Sequence, residues 1–262
     1  MNSDSAVKRA AILIYGVAAY LVFFCTFCYL ALFVANLWAP KTMDRGGVPG
    51  GNSALFLNAL WILLFGAQHA VMARPAFKRW WTTIIHPAIE RSTYVLIASA
   101  LLILMMWQWR PAPAVIWSAE AYWLRSLLLG ISFAGWGLVL YSSFLIDHFD
   151  LFGLRQVVLA FRGVPYTQLH FKERSLYRMV RHPLMLGFMI AFWFTPTMTV
   201  GHLLFAGVFT FYVLVGIQIE ERDLVSLHGD AYRSYRARTS MLVPWPKPVE
   251  RPPDSAGTAP GA

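Results

Sequence analysis

An all-α integral membrane protein is the architecture this sequence predicts: four transmembrane helices and a C-terminal helical hairpin, five to six membrane helices in all, with cytoplasmic loops between them. Three observations predict it. Of 262 residues, 58% are hydrophobic and only 13% charged, about half the charged share of a soluble domain. The apolar residues gather into runs close to the roughly 20 residues a helix needs to cross a bilayer. The basic surplus, 22 Lys and Arg against 13 Asp and Glu, sits in short segments between those runs. That distribution orients membrane proteins, and it forms no continuous stripe that would grip nucleic acid.

The first run covers residues 11–39. It is too long for a signal-peptide core and has no convincing cleavage site before Pro40, so it is predicted to be a retained span. Within it, Cys25 and Cys28 have redox or metal-ligand spacing but no second cysteine pair, and they are predicted to pack as small buried hydrophobes. Runs at 54–73, 92–109 and 124–146 make the next three spans. The stretch 184–219 is too long for one ordinary span and is interrupted by Thr195-Pro196-Thr197, with Gly201 just beyond. A helical hairpin is the prediction. Its first arm, about 12 residues and so about 18 Å, falls short of a roughly 30 Å hydrocarbon core. Residues 1–246 read as one domain, and the Pro-, Gly- and Ala-rich tail 247–262 as disordered.

Loop charges orient this topology. Arg74, Lys78, Arg79 and Arg91 separate spans two and three; Arg155, Arg162, Lys172, Arg174, Arg178 and Arg181 follow span four; Arg222, Arg233, Arg236, Arg238, Lys247 and Arg251 follow the hairpin. The other side has Lys41, Arg45, Arg110 and Arg125. Both termini are therefore predicted to be cytoplasmic. One leaflet then collects Gln68 and His69, Glu90, Arg91 and Tyr94, Asp147, His148 and Asp150, the Arg181-His182-Pro183 turn, and Glu220-Glu221. Ionisable groups at membrane depth are costly and mark functional sites, although charges at helix ends also snorkel to water at little cost. Asp147, His148 and Asp150 without a second ligand cluster do not make a metal site, and no metal is expected. His86 and His202 read as solvated or structural. Trp38, Trp80, Trp81, Trp109, Trp117 and Trp123 read as an interfacial belt.

These motifs carry a resemblance. Arg181-His182-Pro183 with Gly187, then Glu220-Glu221 with Leu224, then Gly229, Tyr232, Tyr235 and Pro244, resemble the isoprenylcysteine carboxyl methyltransferase superfamily over about residues 165–246. Upstream, Gln68-His69, Met72-Ala73-Arg74-Pro75, Phe77 to Trp81, Glu90 to Tyr94 and Asp147 to Gln156 resemble the bacterial methanethiol S-methyltransferases, which extends the match to nearly the whole chain. Met185 and His228 stand where the common pattern has aromatic residues. Gly216 stands where the prenylcysteine enzymes carry an arginine facing the substrate carboxylate, which suits an acceptor lacking one.

The resemblance implies S-adenosylmethionine as methyl donor, a small thiol acceptor, dimethyl sulfide as product and a bacterial inner-membrane location, with the lipid bilayer as the only partner expected. It assigns the cofactor to Leu169, His170, Phe171, Lys172, Tyr177, Arg181, His182, Pro183, Leu184, Met185, Gly187, Glu220, Glu221 and Tyr232. The chemistry agrees: a carboxylate accepts hydroxyl donors, glycine permits close approach, and a helix N-terminus favours an anion. A thiol attacks as its thiolate, so a base is expected. His148, with Asp147 orienting it, is the predicted base; Gln68, His69, Arg91, Tyr94 and Asp150 are predicted to line the acceptor. Competing readings are a methyltransferase for prenylcysteine or phospholipid, a nicotinamide-dependent sterol reductase of related architecture, and a non-enzymatic scaffold or transporter.

Overall fold

The protein, described here by a computed structural model, is defined over residues 5–47, 51, 53–167 and 175–245. In chain order it contains α1 (Ala6–Ala35), α2 (Ser53–Ala73), α3 (Pro75–Trp81), α4 (Glu90–Gln108), β1 (Val115–Ser118), α5 (Tyr122–Ile146), α6 (His148–Leu151), α7 (Leu154–Phe161), α8 (Pro183–Trp193), β2 (Thr197–Thr199), α9 (Val200–His228) and α10 (Asp230–Arg238). Helices α1, α2, α4, α5 and α9 are long and apolar enough to cross a membrane. It is a multi-pass membrane protein.

The first span is shifted from the apolar run. It begins at Ser5, whose hydroxyl accepts from Lys8 N at 3.3 Å, and stops where Asn36 takes a left-handed φ of 55°. That cap ends the helix before Trp38 and Pro40 even though the sequence stays apolar. The buried stripe of α1 includes Thr26, Phe27, Leu30 and Val34. Cys25 and Cys28 fall outside it and are exposed, contrary to the packing predicted for them.

Helix α8 is the short arm the sequence predicted: 11 residues, about 16 Å at 1.5 Å each. It lies tight against α5. A Cβ on Gly187 would come within 2.8 Å of Gly135 O, and one on Gly135 within 2.6 Å of Ala191 N, while Ser132 Oγ donates to Ala191 O at 2.8 Å. Small residues letting two backbones meet, with a hydroxyl bonded across, are how helices associate in lipid. Gly187 therefore serves the packing of α8 on α5.

The hairpin turn is held by an element that periodicity did not show. Thr197–Thr199 pairs antiparallel with Val115–Ser118, and Val200 N and Gly201 N bond the carbonyls of Ala114 and Ala112 at 2.9 and 3.0 Å. A non-helical segment at this depth must satisfy its backbone within the protein. Beside it, Asp44 receives Asn36 Nδ2 and Thr199 Oγ1, each at 2.7 Å, and Asn58 Nδ2 donates to Arg110 O at 2.8 Å. His202 is buried, with Nε2 bonded to Phe192 O at 2.8 Å, the structural role predicted. Between the two ends runs a core of Phe33, Ile62, Met105, Trp109, Phe205 and Phe209 among others.

Candidate functional site

At the other end of the bundle, α1, α4 and α8 begin and α2, α5 and α9 finish. The Arg181-His182-Pro183 turn enters α8 with Pro183 at the first helical turn, where its missing N–H costs nothing. Its backbone is pinned to the segment after α10: Arg181 N and His182 N donate to Ser240 O and Met241 O at 2.8 and 3.1 Å. The side chains explain the charges. Buried Arg181 donates through Nε to Glu221 Oε1 at 2.7 Å and through Nη1 to the carbonyls of Arg236 and Thr239. His182 Nε2 reaches the same Glu221 oxygen at 3.1 Å, and Arg236 Nη1 lies 3.8 Å from Oε2. Arg181 and Glu221, both predicted to hold the cofactor, are thus spent on each other as a clamp between α8, α9 and α10.

Glu220 differs from its neighbour. Its side chain is 48% exposed and stands 3.8 Å from His182 Nδ1. Tyr177 lies close enough that burial first, and then the Glu220 carboxylate, push its phenol up; the Tyr177 carbonyl accepts Tyr235 Oη at 2.5 Å. Tyr232 is fully buried, and burial together with Glu221 raises its phenol to about 12. Leu184 packs on the main core, and Met185 on Val213, Ile217 and Leu242. Leu169, His170, Phe171 and Lys172 lie outside the described residues.

Three of the acceptor-side residues meet. Tyr94 Oη lies 2.8 Å from His69 Nε2, and the Arg91 guanidinium sits 5.6 Å from the Tyr94 ring centroid. Phe65 stacks on His69 at 5.4 Å, and Tyr212 of α9 approaches its edge at 6.4 Å. Gln68 Nε2 points at Met72 Sδ at 3.0 Å, while Gln68 Oε1 and His69 Nδ1 are buried with no hydrogen-bond partner. Arg74 ties this end of α2 to α9 through Asp223 at 2.8 Å.

Asp147 and His148 are not paired with each other in the way the sequence predicted. Asp147 Oδ1 caps α6 by accepting from Asp150 N at 3.1 Å, and the residue takes a positive φ of 136° to turn the chain out of α5. The His148 ring bonds Ser143 Oγ through Nδ1 at 2.7 Å and Tyr20 Oη through Nε2 at 2.8 Å, and stacks on Phe144 at 4.2 Å. Burial holds its pKa below the usual imidazole value, against the opposing pull of Asp147. Asp150 is likewise engaged, accepting from Arg155 Nη1 at 3.0 Å and Tyr166 Oη at 3.2 Å. Phe152, T-shaped on His148 at 4.8 Å, stacks at 3.9 Å on Phe23, which also packs against the Met72, Tyr94 and Val95 cluster. An aromatic pair therefore bridges the two histidine clusters. Tyr20, Ser143 and Tyr212 carry no local motif; Tyr20 stands alone in an apolar stretch of α1, and Ser143 follows Tyr141 and Ser142 with nothing to set it apart.

The NnrU protein family matches residues 57–246. Over 240 residues the chain is 52% identical to the methanethiol S-methyltransferase of Mycobacterium tuberculosis, covering 92% of this chain and 98% of that protein. The chain belongs to the NnrU family and, within it, to the family of the methanethiol S-methyltransferases. Methanethiol S-methyltransferase 1 of Bradyrhizobium diazoefficiens is also 52% identical, over 94% of this chain and 87% of its own length. A more distant relative is nurim of Mus musculus, 29% identical over 75% of this chain and 76% of its own. No solved structure matches.

Proposed function

We propose that this protein transfers the methyl group of S-adenosylmethionine to methanethiol, forming dimethyl sulfide, from the cytoplasmic leaflet of a bacterial inner membrane with both termini cytoplasmic. The observation that carries the reading is the end-to-end identity of about one residue in two with proteins named for that reaction. The positive-inside distribution favours the orientation, because all of the clamp and both histidine clusters lie on the arginine-rich side.

The donor set fits the methyl donor. Glu221 is neutralised within the protein, whereas Glu220 keeps a half-exposed carboxylate beside His182, suited to accept the hydroxyl or amino protons of a nucleoside. When bound, S-adenosylmethionine supplies a methyl carbon open to in-line attack by sulfur. The chain's own tasks are then to align the thiol, remove its proton and exclude water. His69, Tyr94, Arg91, Gln68 and Tyr212 make up the acceptor side, joined through the Phe23–Phe152 pair to the His148 cluster, with Asp150 holding the adjoining loop. His148 is the proton acceptor, and Asp147 favours its charged form from the start of α6.

The test is to incubate detergent-purified protein with S-adenosylmethionine and methanethiol and to assay the headspace. Dimethyl sulfide is the expected product. Its absence, with a prenylcysteine or lipid acceptor methylated instead, overturns the substrate.

A further inference from the structure

We infer that Tyr20 is the catalytic residue that meets the thiol, and that His148 receives the proton only through it; this rests on the methyltransferase reading above. The hydrogen-bond pattern accommodates the relay. Ser143 has a single hydroxyl proton, and Leu140 O lies 2.6 Å away to accept it. With the proton there, Ser143 Oγ accepts from His148, so that Nδ1 carries the imidazole proton and Nε2 presents its lone pair. The hydroxyl facing that lone pair at 2.8 Å is Tyr20 Oη, placed to donate.

Access makes the same assignment. His148 is 2% exposed, both nitrogens are bonded, and Phe144, Phe149 and Phe152 cover the ring. An acceptor sulfur has no free imidazole atom to approach. The Tyr20 side chain is partly open and is lined by Phe23, Phe24 and Phe149, apolar surroundings that suit a small alkyl thiol. Tyr20 from α1 and Asp147, the cap between α5 and α6, are the titratable groups facing the ring.

The step balances. The thiol S–H bond breaks as its proton moves to Tyr20 Oη, and the tyrosine's own proton moves to His148 Nε2, leaving an imidazolium whose Nδ1–H stays on Ser143. The freed sulfur electron pair forms the new bond to the methyl carbon while the old carbon–sulfur bond breaks toward the departing sulfur. The proton then returns along the same path, from Nε2 to Tyr20 Oη, which passes its own proton on to water.

The experiment compares wild type, Tyr20→Phe, Ser143→Ala and Ser143→Thr, measuring S-adenosylmethionine affinity and the pH profile of kcat/KM for methanethiol. Tyr20→Phe is expected to lose about 100-fold in kcat at neutral pH, the lower range for removal of acid–base catalysis, with affinity for the methyl donor unchanged. Its deficit should shrink as pH rises toward the thiol's own ionisation, because solvent then supplies the thiolate. Ser143→Ala should show a smaller deficit of the same shape, and Ser143→Thr should restore the rate. A Tyr20→Phe deficit constant across pH would mark a structural role and overturn the relay, as would wild-type turnover. If Tyr20→Phe does not fold, a flat profile for Ser143→Ala overturns it. Failure of wild type to form dimethyl sulfide would instead refute the function on which the relay rests.

Discussion

The two ends of the bundle are both polar, yet they handle polarity in opposite ways. At the hairpin-turn end, Asp44 is bonded to Asn36 and Thr199, Asn58 bonds both N–H and carbonyl of Arg110, and Trp109 Nε1 reaches Met43 O at 3.0 Å. Those groups close loops. At the arginine-rich end one charge set is closed, the Arg181–Glu221 clamp, while beside it Glu220 stays half exposed and Gln68 Oε1 and His69 Nδ1 lack partners. Buried polar groups without partners cost stability, and among the described residues more of them lie at the arginine-rich end, where the site is proposed, than at the hairpin-turn end.

The most severe break in this contrast is Arg181→Ala. It removes the nearest partner of the buried Glu221 carboxylate, leaving it to His182 and the more distant Arg236, and the expected loss is about 3 kcal/mol, read as a large fall in thermal midpoint in detergent. Removing the adjacent Glu220 as Glu220→Gln should leave the midpoint within about 0.5 kcal/mol of wild type, as for a substitution outside the fold's buried networks. It should weaken S-adenosylmethionine binding roughly 10- to 100-fold, the worth of hydrogen bonds to a charged group, measured by calorimetry. Equal stability loss from both variants would erase the distinction between clamp and site.

Gly187→Val tests whether that glycine belongs to packing. Overpacking against Gly135 O should cost about 1–3 kcal/mol without a selective loss of cofactor affinity. At the opposite end, Asp44→Ala should lower stability by about 1 kcal/mol per hydrogen bond lost while the turnover of the folded protein is kept.

The smallest effect concerns pH. His148 has a folded pKa below its unfolded value near 6.5, so the unfolded chain binds a proton more readily. Its contribution is complete above about pH 6.5 and is lost as pH falls below that value. Unfolding midpoints between pH 5 and 7.5 should decline more steeply toward acid in wild type than in His148→Gln.

Much of this was legible in the sequence. Run lengths gave the spans, the Thr-Pro-Thr break gave the short α8, and the arginine distribution gathered distant motifs at one end. What periodicity missed has physical reasons. Four residues at 115–118 are too few to show alternation, and their pairing with 197–199 is set by the backbone needs of the hairpin turn. The exposure of Cys25 and Cys28 was hidden because in lipid an apolar residue fits either face of a helix, so hydrophobicity no longer reports burial.

The roles of adjacent charged residues were beyond any local reading. By itself the sequence determined which segments must be helices in a membrane and which end must hold the charges, because hydrocarbon rejects free charge and open backbone. Only the tertiary structure decided that Glu221 is consumed by Arg181 while Glu220 remains available, that Gly187 packs on Gly135, and that Tyr20 bonds His148. Those outcomes depend on which atoms from distant helices arrive within 3 Å, and no spacing along one chain encodes that distance.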